Sequence, residues 1–177
     1  WATPYLMTIF NLGSLHASQL NMLLPVGFII GATLSGWLVD RVFGDKVRFL
    51  MSLLAVQTGM WAVLTFGGHA LGTAGMIPLL LFMGATSGGL GTTLWAVVRD
   101  TTPGPILGLT TGLINPAPFV GVAILQVWTG AILDKVGRVD GIYPPAAYRD
   151  VFLVFFLITV SCLILFSCLR KHLTMKH

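Results

Sequence analysis

The chain has 177 residues, of which 55% are hydrophobic and only 9% are charged, and its mean hydropathy is +0.88. A soluble domain carries about 25% charged residues, so this composition excludes an ordinary water-soluble globular protein. The net charge of +4 is then a signal of orientation in a membrane rather than of nucleic-acid binding, and we expect no nucleic acid among the partners.

Four long segments contain no Lys, Arg, Asp or Glu. They are residues 1–39, 49–98, 101–133 and 151–169, with lengths of 39, 50, 33 and 19. One crossing of the hydrocarbon core takes about 20 apolar residues, and Gly-containing breaks divide the first two segments. The sequence therefore predicts an all-α polytopic membrane protein with five full transmembrane helices and a shorter first one. The predicted helices are 1–12, 18–42, 47–66, 75–99, 104–134 and 147–171.

The first predicted helix begins at Trp1, inside an apolar segment. It has no charged region before it and no cleavage site after it, so it lacks the pattern of a signal peptide. We expect the chain to be part of a longer protein.

The turn after the second predicted helix concentrates charge. The stretch GWLVDRVFGDKVR, residues 36–48, holds five of the sixteen charged residues: Asp40, Arg41, Asp45, Lys46 and Arg48. Gly36 allows another backbone to approach, and Asp40 can pair with the N-terminus of a neighbouring helix. For Lys46 and Arg48 the alternative is that they only fix the topology.

Glycines at a spacing of four residues mark two helices as contact surfaces. The candidates are Gly84, Gly88, Gly104, Gly108 and Gly112. A residue turns about 100° around a helix, so Asn115, Phe119 and Gln126 return close to the face of Gly108.

Pro116 and Pro118 remove two backbone donors from the helix at 104–134 and should bend it near its middle. A bent helix with amides on a small-residue face can line a cavity. The alternative is that Asn115 and Gln126 only hydrogen-bond to neighbouring helices.

If the helices alternate in direction, the basic residues fall unequally on the two sides. Seven lie on one side: Arg41, Lys46, Arg48, Arg99, Arg170, Lys171 and Lys176. Three lie on the other: Lys135, Arg138 and Arg149. Basic loops stay inside, so we expect a multi-pass protein of the cell membrane, in the first instance a bacterial inner membrane, with a cytoplasmic C-terminus.

The charged stretch and two further segments carry a family resemblance. GWLVDRVFGDK resembles the cytoplasmic signature of the major facilitator superfamily, written G-x-x-x-D-R-x-G-R-K. The residues that match in type are Gly36, Asp40, Arg41, Gly44 and Lys46. Phe43 acts as a one-residue insertion, and Asp45 stands where a basic residue is usual. WATPYLMTIFNLG and GLTTGLINPAPFVGVAILQVWTGAILD resemble the seventh and eleventh helices of the permeases, and the order of the three segments fits the C-terminal six-helix half.

The resemblance implies roles for particular side chains. In the family the signature acid helps to latch the two halves together, which would give Asp40 a partner in the N-terminal half. The seventh and tenth helices line the substrate path, and the candidates on them are Trp1, Tyr5, Ser87, Thr92 and Trp95. The alternatives are hydroxyls bonded to the helix backbone for Ser87 and Thr92, and an interfacial anchor for Trp95.

The resemblance implies a secondary active transporter that moves a small solute by alternating access, with this chain as its C-terminal half. The alternative is a non-transporting membrane subunit of the same fold that serves assembly or scaffolding. The expected partners are the lipid bilayer, the absent N-terminal half or an equivalent membrane partner, and a small molecule that the sequence does not identify. The sequence contains no nucleophile–base arrangement, metal-ligand spacing or phosphate loop, so we expect no enzymatic activity, no metal and no cofactor.

Overall fold

The structure, a computed structural model, describes residues 2–138 and 142–174 and is all-helical within them. The α-helices are, in chain order, α1 (Ala2–Phe10), α2 (Ser14–Asn21), α3 (Leu23–Leu38), α4 (Lys46–Gly67), α5 (Gly72–Thr101), α6 (Leu107–Ile114), α7 (Ala117–Val136) and α8 (Pro145–Thr174). A π turn, Val39–Phe43, follows α3, and short 3-10 turns at Gly68–Ala70 and Gly104–Ile106 precede α5 and α6. The prediction of an all-α fold is confirmed.

Five helical segments are long and apolar enough to cross a membrane. They are Ser14–Phe43, Lys46–Gly67, Gly72–Thr101, Gly104–Val136 and Pro145–Leu169. A helix rises 1.5 Å per residue, so even the shortest, with 22 residues, is about 33 Å long and can cross a hydrocarbon core of about 30 Å. The prediction of five long apolar helices is confirmed, and α1, with nine residues, is too short to cross.

The first long segment, which corresponds to the second predicted helix, begins four residues before the predicted range of 18–42. Gly13 has extended backbone angles, and its carbonyl accepts from the Ala17 N–H at 3.0 Å, which starts the helix at Ser14. Met22, between α2 and α3, keeps right-handed helical angles, so both helices belong to one continuous segment. The other boundaries lie within three residues of the predicted ones.

Glycines bring α3 and α5 into close contact. Gly27 and Gly31 of α3 face α5, and Gly84 and Gly88 of α5 face α3. A β-carbon added to any of the four would overlap a backbone carbonyl oxygen of the other helix. Because lipid tails are as apolar as the helix surface, this close backbone packing is what stabilises the pair in a membrane. α4 packs against both α5 and α8 and completes the central part of the bundle.

Aromatic packing attaches the short α1 to α8. The ring of Tyr5 lies edge-on to Tyr148 at 5.6 Å and to Phe152 at 4.8 Å between centroids. Leu6 beside it is fully buried, and the Tyr148 side chain hydrogen-bonds to Thr8. α1 is therefore part of the core although it is too short to cross a membrane.

α6 and α7 are loosely attached to the rest of the bundle. α7 packs against α8, and its residues Thr129 and Leu133 are fully buried. In the most apolar stretch of Gly104–Val136 only 11% of the residues are buried, against 39% for Gly72–Thr101. Most of the surface of this segment is therefore available to lipid or to a partner.

Candidate functional site

The charged turn, residues 39–48, joins α3 to α4 through a π turn. The Gly44 N–H donates to the Val39 carbonyl at 2.8 Å, five residues back. Gly44 has a φ of +64°, a left-handed conformation that glycine adopts without steric cost. A π turn contains one residue more than an α turn. It thereby accommodates Phe43, the insertion relative to the family signature, whose ring packs 4.8 Å from that of Phe49.

Asp45 is the N-cap of α4. Its carboxylate accepts from the backbone N–H of Val47 at 2.8 Å and of Arg48 at 3.2 Å, and it lies 3.3 Å from the Arg48 Nε. A carboxylate at this position satisfies two amides that have no partner within the helix and faces the positive end of the helix dipole. This gives a physical reason for an acid where the family signature has a basic residue.

Lys46 connects the charged turn to the end of α5. Its ammonium group donates to the carboxylate of Asp100, which lies 54 positions further along the chain. Both side chains are about one third exposed, so water weakens the pair. Lys46 therefore makes a tertiary contact that neither the signature nor the topology rule predicts.

The signature residues Gly36, Asp40 and Arg41 are exposed. A β-carbon added to Gly36 would meet nothing within 4 Å. Among the side chains of residues 2–68, 70–138 and 142–169, neither Asp40 nor Arg41 has an ion-pair or hydrogen-bond partner. This part of the turn is accessible to a partner.

Tyr5 is buried, with 5% of its surface exposed. It lines an apolar cavity of about 210 Å³ inside the bundle, together with Trp61 and Met76. Trp1, the other candidate on the first helix, lies outside the described residues.

Ser87 and Thr92 lie on α5 close to α3. Ser87 is half-buried next to Gly84, in a shallow apolar pocket on the α3–α5 surface. The Thr92 Oγ1 lies 2.6 Å from the Ser35 Oγ of α3 and also donates to the Gly88 carbonyl at 3.0 Å. The Thr92 hydroxyl therefore has hydrogen-bond partners within the bundle. This agrees with the alternative interpretation, in which the hydroxyl bonds to the helix backbone and does not line a substrate path.

Trp95 lies in a groove between the end of α5 and the start of α6. The groove has a volume of about 340 Å³, and its lining residues are Thr92, Trp95, Ala96, Val98, Arg99, Leu107 and Thr111. From the sequence, Arg99 was considered only as one of the basic residues that set the orientation in the membrane. Its spacing of four residues from Trp95 nevertheless puts both side chains on one face of the helix. The structure brings these two side chains together.

Asn115, Phe119 and Gln126 are all exposed. The Asn115 N–H donates to the Thr111 carbonyl at 2.9 Å, and both Asn115 and Pro116 keep right-handed helical angles. The α-helical hydrogen-bond pattern is interrupted between α6 and α7, but the helical register continues across the prolines. The two amides therefore stay close to one face of a mostly uncovered segment.

The two groups of candidate glycines have different surroundings. Gly84 and Gly88 touch the backbone of α3, as described above. A β-carbon added to Gly104, Gly108 or Gly112 would meet nothing within 4 Å. Within the part of the chain that the structure describes, no helix packs on this second stripe.

A buried hydrogen bond joins α4 to α5. The Thr86 hydroxyl donates to the Gln57 side-chain carbonyl, and both residues are buried. Gln57 therefore has a structural role, because its side chain joins α4 to α5.

Polar contacts also order the turn between α7 and α8. The Tyr143 hydroxyl donates to Asp134 and accepts from the Arg138 Nη2 at 3.2 Å, and the guanidinium carbon lies 4.7 Å from the ring centroid. The hydrogen bond with Tyr143 raises the pKa of Arg138 above its ordinary value. These contacts fix the polar end of α7.

Comparisons of the chain with known protein families, with curated proteins and with solved structures find no match. The resemblance to the major facilitator superfamily therefore depends on the three sequence segments alone.

Proposed function

We propose that the protein is a secondary active transporter of the major facilitator type, and that this chain forms its C-terminal half. In this proposal a small solute crosses the membrane by alternating access at the interface with an N-terminal half. The alternating-access mechanism is taken from the family resemblance. The proposal is supported by the exposed polar side chains on the segment Gly104–Val136.

That observation is the exposure of Asn115 and Gln126 in an apolar, membrane-length helix. An amide that faces hydrocarbon has no hydrogen-bond partner, and each unsatisfied polar group there costs several kcal/mol. Polar side chains in membrane helices accordingly face other helices or a water-filled cavity. In the proposal this face lines the substrate path, with Phe119 between the amides and with Ser87 as a candidate on α5.

The exposed signature residues have a role in the same proposal. Asp40 latches the charged turn to a helix N-terminus of the other half when the cytoplasmic side is closed, and Gly36 allows that helix to approach. Gly44 forms the turn, Arg41 holds it at the level of the lipid headgroups, and Lys46 connects it to α5 through Asp100.

The alternative, a non-transporting membrane subunit, would also cover the amides, but with protein instead of water. Thiol accessibility separates the two functions. Asn115→Cys and Gln126→Cys are introduced separately into the full-length protein after Cys162 and Cys168 are replaced by Ser. Each variant is exposed to a membrane-impermeant, charged methanethiosulfonate reagent. Leu113→Cys is the matched control, because it lies at the same depth on nearly the opposite face of the helix.

A transporter predicts that the cysteines at 115 and 126 react while the one at 113 does not. Protection of all three positions in an assembled, membrane-inserted protein would favour the subunit. Equal reaction of all three would contradict both readings of this face.

A further inference from the structure

The groove between α5 and α6 combines apolar walls with a single charged side chain. Four of its seven lining residues are Ala96, Val98, Leu107 and Trp95, and the charged one is Arg99. The hydroxyls of Thr92 and Thr111 donate to carbonyls of their own helices, at 3.0 Å and 2.8 Å, so their hydrogens are already engaged. The groove therefore offers one cation above an apolar slot.

Arg99 keeps most of its hydrogen-bonding capacity. Its side chain is 68% exposed, and its contact with the carboxylate of Asp100 is a long one, 3.8 Å from the Nε. The same carboxylate accepts from Lys46. The planar guanidinium can still make two parallel hydrogen bonds to the oxygens of a phosphate.

The depth of the groove fits an amphiphile. Arg99 lies two residues before the end of α5, and Thr92, seven residues earlier, lies about 10 Å further along the helix axis. In a membrane this puts Arg99 at the level of the headgroups and Trp95 at the boundary with the acyl chains, where Trp is enriched. A soluble phosphate would leave the apolar slot unfilled.

From this geometry we infer that the groove is a binding site for an anionic phospholipid. The phosphate pairs with Arg99, and an acyl chain lies along Trp95, Ala96 and Leu107. The site prefers anionic to zwitterionic headgroups, because its charged lining residue is the cation Arg99 and the neighbouring acid, Asp100, already accepts from Lys46. Trp95 then contacts lipid instead of lining the substrate path, and the site does not depend on the transport proposal.

Photocrosslinking in vesicles tests this site. The full-length protein is reconstituted into phosphatidylcholine vesicles that contain a small fraction of either phosphatidylglycerol or phosphatidylcholine with a photoreactive acyl chain. Crosslinked peptides are then mapped by mass spectrometry. We expect the phosphatidylglycerol probe to label residues 95–111 more strongly than the phosphatidylcholine probe does. Arg99→Gln should lower its labelling there about fivefold, the effect of one basic residue at an anionic surface.

Arg48→Gln is the matched control. Its side chain is 65% exposed, at the same end of the bundle, and it also contacts a nearby carboxylate. Its loss should leave the labelling of 95–111 unchanged, whereas Arg99→Lys should retain the preference for phosphatidylglycerol. Equal labelling by the two probes, or an equal loss in Arg99→Gln and Arg48→Gln, would overturn the inference. Displacement of the lipid by excess soluble glycerol phosphate would assign the site to a free phosphate anion instead.

Discussion

Gly88 of α5 lies so close to Phe28 of α3 that a β-carbon on the glycine would overlap the carbonyl oxygen of the phenylalanine. Gly84 has the same relationship to Leu24, one helical turn away. The α3–α5 pair is thus held by direct backbone contact, and the first prediction concerns its tolerance of side chains.

Gly88→Val should strongly destabilise the bundle, because the two helices must separate to admit the side chain. Overpacking typically costs about 1–3 kcal/mol, and rigid backbone on the opposite side puts this case at the upper end or beyond. Gly121→Val introduces the same β-branched residue where nothing lies within 4 Å, so it should cost far less. Unfolding of the purified variants by detergent titration measures both, and equal losses would contradict the α3–α5 packing.

The hydrogen bond between Gln57 and Thr86 should show an asymmetric response to mutation. Thr86→Val leaves the buried side-chain carbonyl of Gln57 without its hydrogen-bond donor. It should therefore lower the free energy of unfolding by about 0.6–2 kcal/mol. Gln57→Leu should cost less, because the Thr86 hydroxyl still has the carbonyls of Phe82 at 3.0 Å and Met83 at 3.1 Å. The double variant should be no less stable than Thr86→Val alone. A larger loss from Gln57→Leu than from Thr86→Val in the same unfolding assay would show that the bond is not the controlling interaction.

Asp45 should stabilise α4 through its cap rather than through its charge. Asp45→Ala is expected to cost about 0.5–2 kcal/mol, because two backbone amides lose their acceptor. Asn is as good an N-cap, so Asp45→Asn should retain most of the stability although it loses the pairing with Arg48. If the Asn and Ala variants unfold alike, the ion pair and not the cap is responsible.

The distribution of basic residues predicts the orientation of the bundle. A fluorescent protein fused after His177 should fluoresce, since it would fold in the cytoplasm, whereas alkaline phosphatase at the same position should be inactive. An insertion after Gly137, between α7 and α8, should give the reverse pattern. Phosphatase activity at the C-terminus would contradict the orientation and would put the charged turn on the external side.

The sequence predicted the helices well because two physical signals, the charge-free apolar segments and the Gly-containing breaks within them, decide both their number and their position. It placed the start of the second predicted helix at 18 because the polar stretch before it resembles a loop. Only Asn11, Leu12 and Gly13 lie between the helices, with Asn11 at a positive φ, and the polar residues Ser14 and Ser18 belong to the helix. Periodicity identified Gly84 and Gly108 equally as contact glycines, but it cannot distinguish a contact made within the chain from one left open.

Contacts between side chains that lie far apart in the chain could not be predicted from the sequence, for a different reason. The pair Lys46–Asp100 and the contact Thr92–Ser35 join residues 54 and 57 positions apart, and nothing local in either partner indicates the other. The N-cap role of Asp45 was accessible in principle, since an acid directly before a helix is a start signal. In the comparison with the family signature, Asp45 was considered only as an acid at a position where a basic residue is usual.

The open glycine stripe on α6 leads to the last prediction, which concerns assembly with the N-terminal half. Gly108 has space around it and lies on the face of Asn115, about 10 Å nearer the start of the segment. In the proposed transporter a helix of the other half packs on the glycines, while the amides further along line the substrate path. Gly108→Leu should therefore reduce recovery of the N-terminal half several-fold when the two halves are co-expressed with different tags and one is purified.

Gly121→Leu is the matched control. Gly121 also has nothing within 4 Å, but thirteen residues turn its position away from that face by about 140°. Leucine there should meet lipid and leave assembly unchanged. Because a β-carbon at either position meets nothing within 4 Å, both variants should fold, and the amount of each in the membrane verifies this. An equal effect of the two substitutions, or none from either, would mean that the stripe faces lipid and that the contact with the other half lies elsewhere on the bundle.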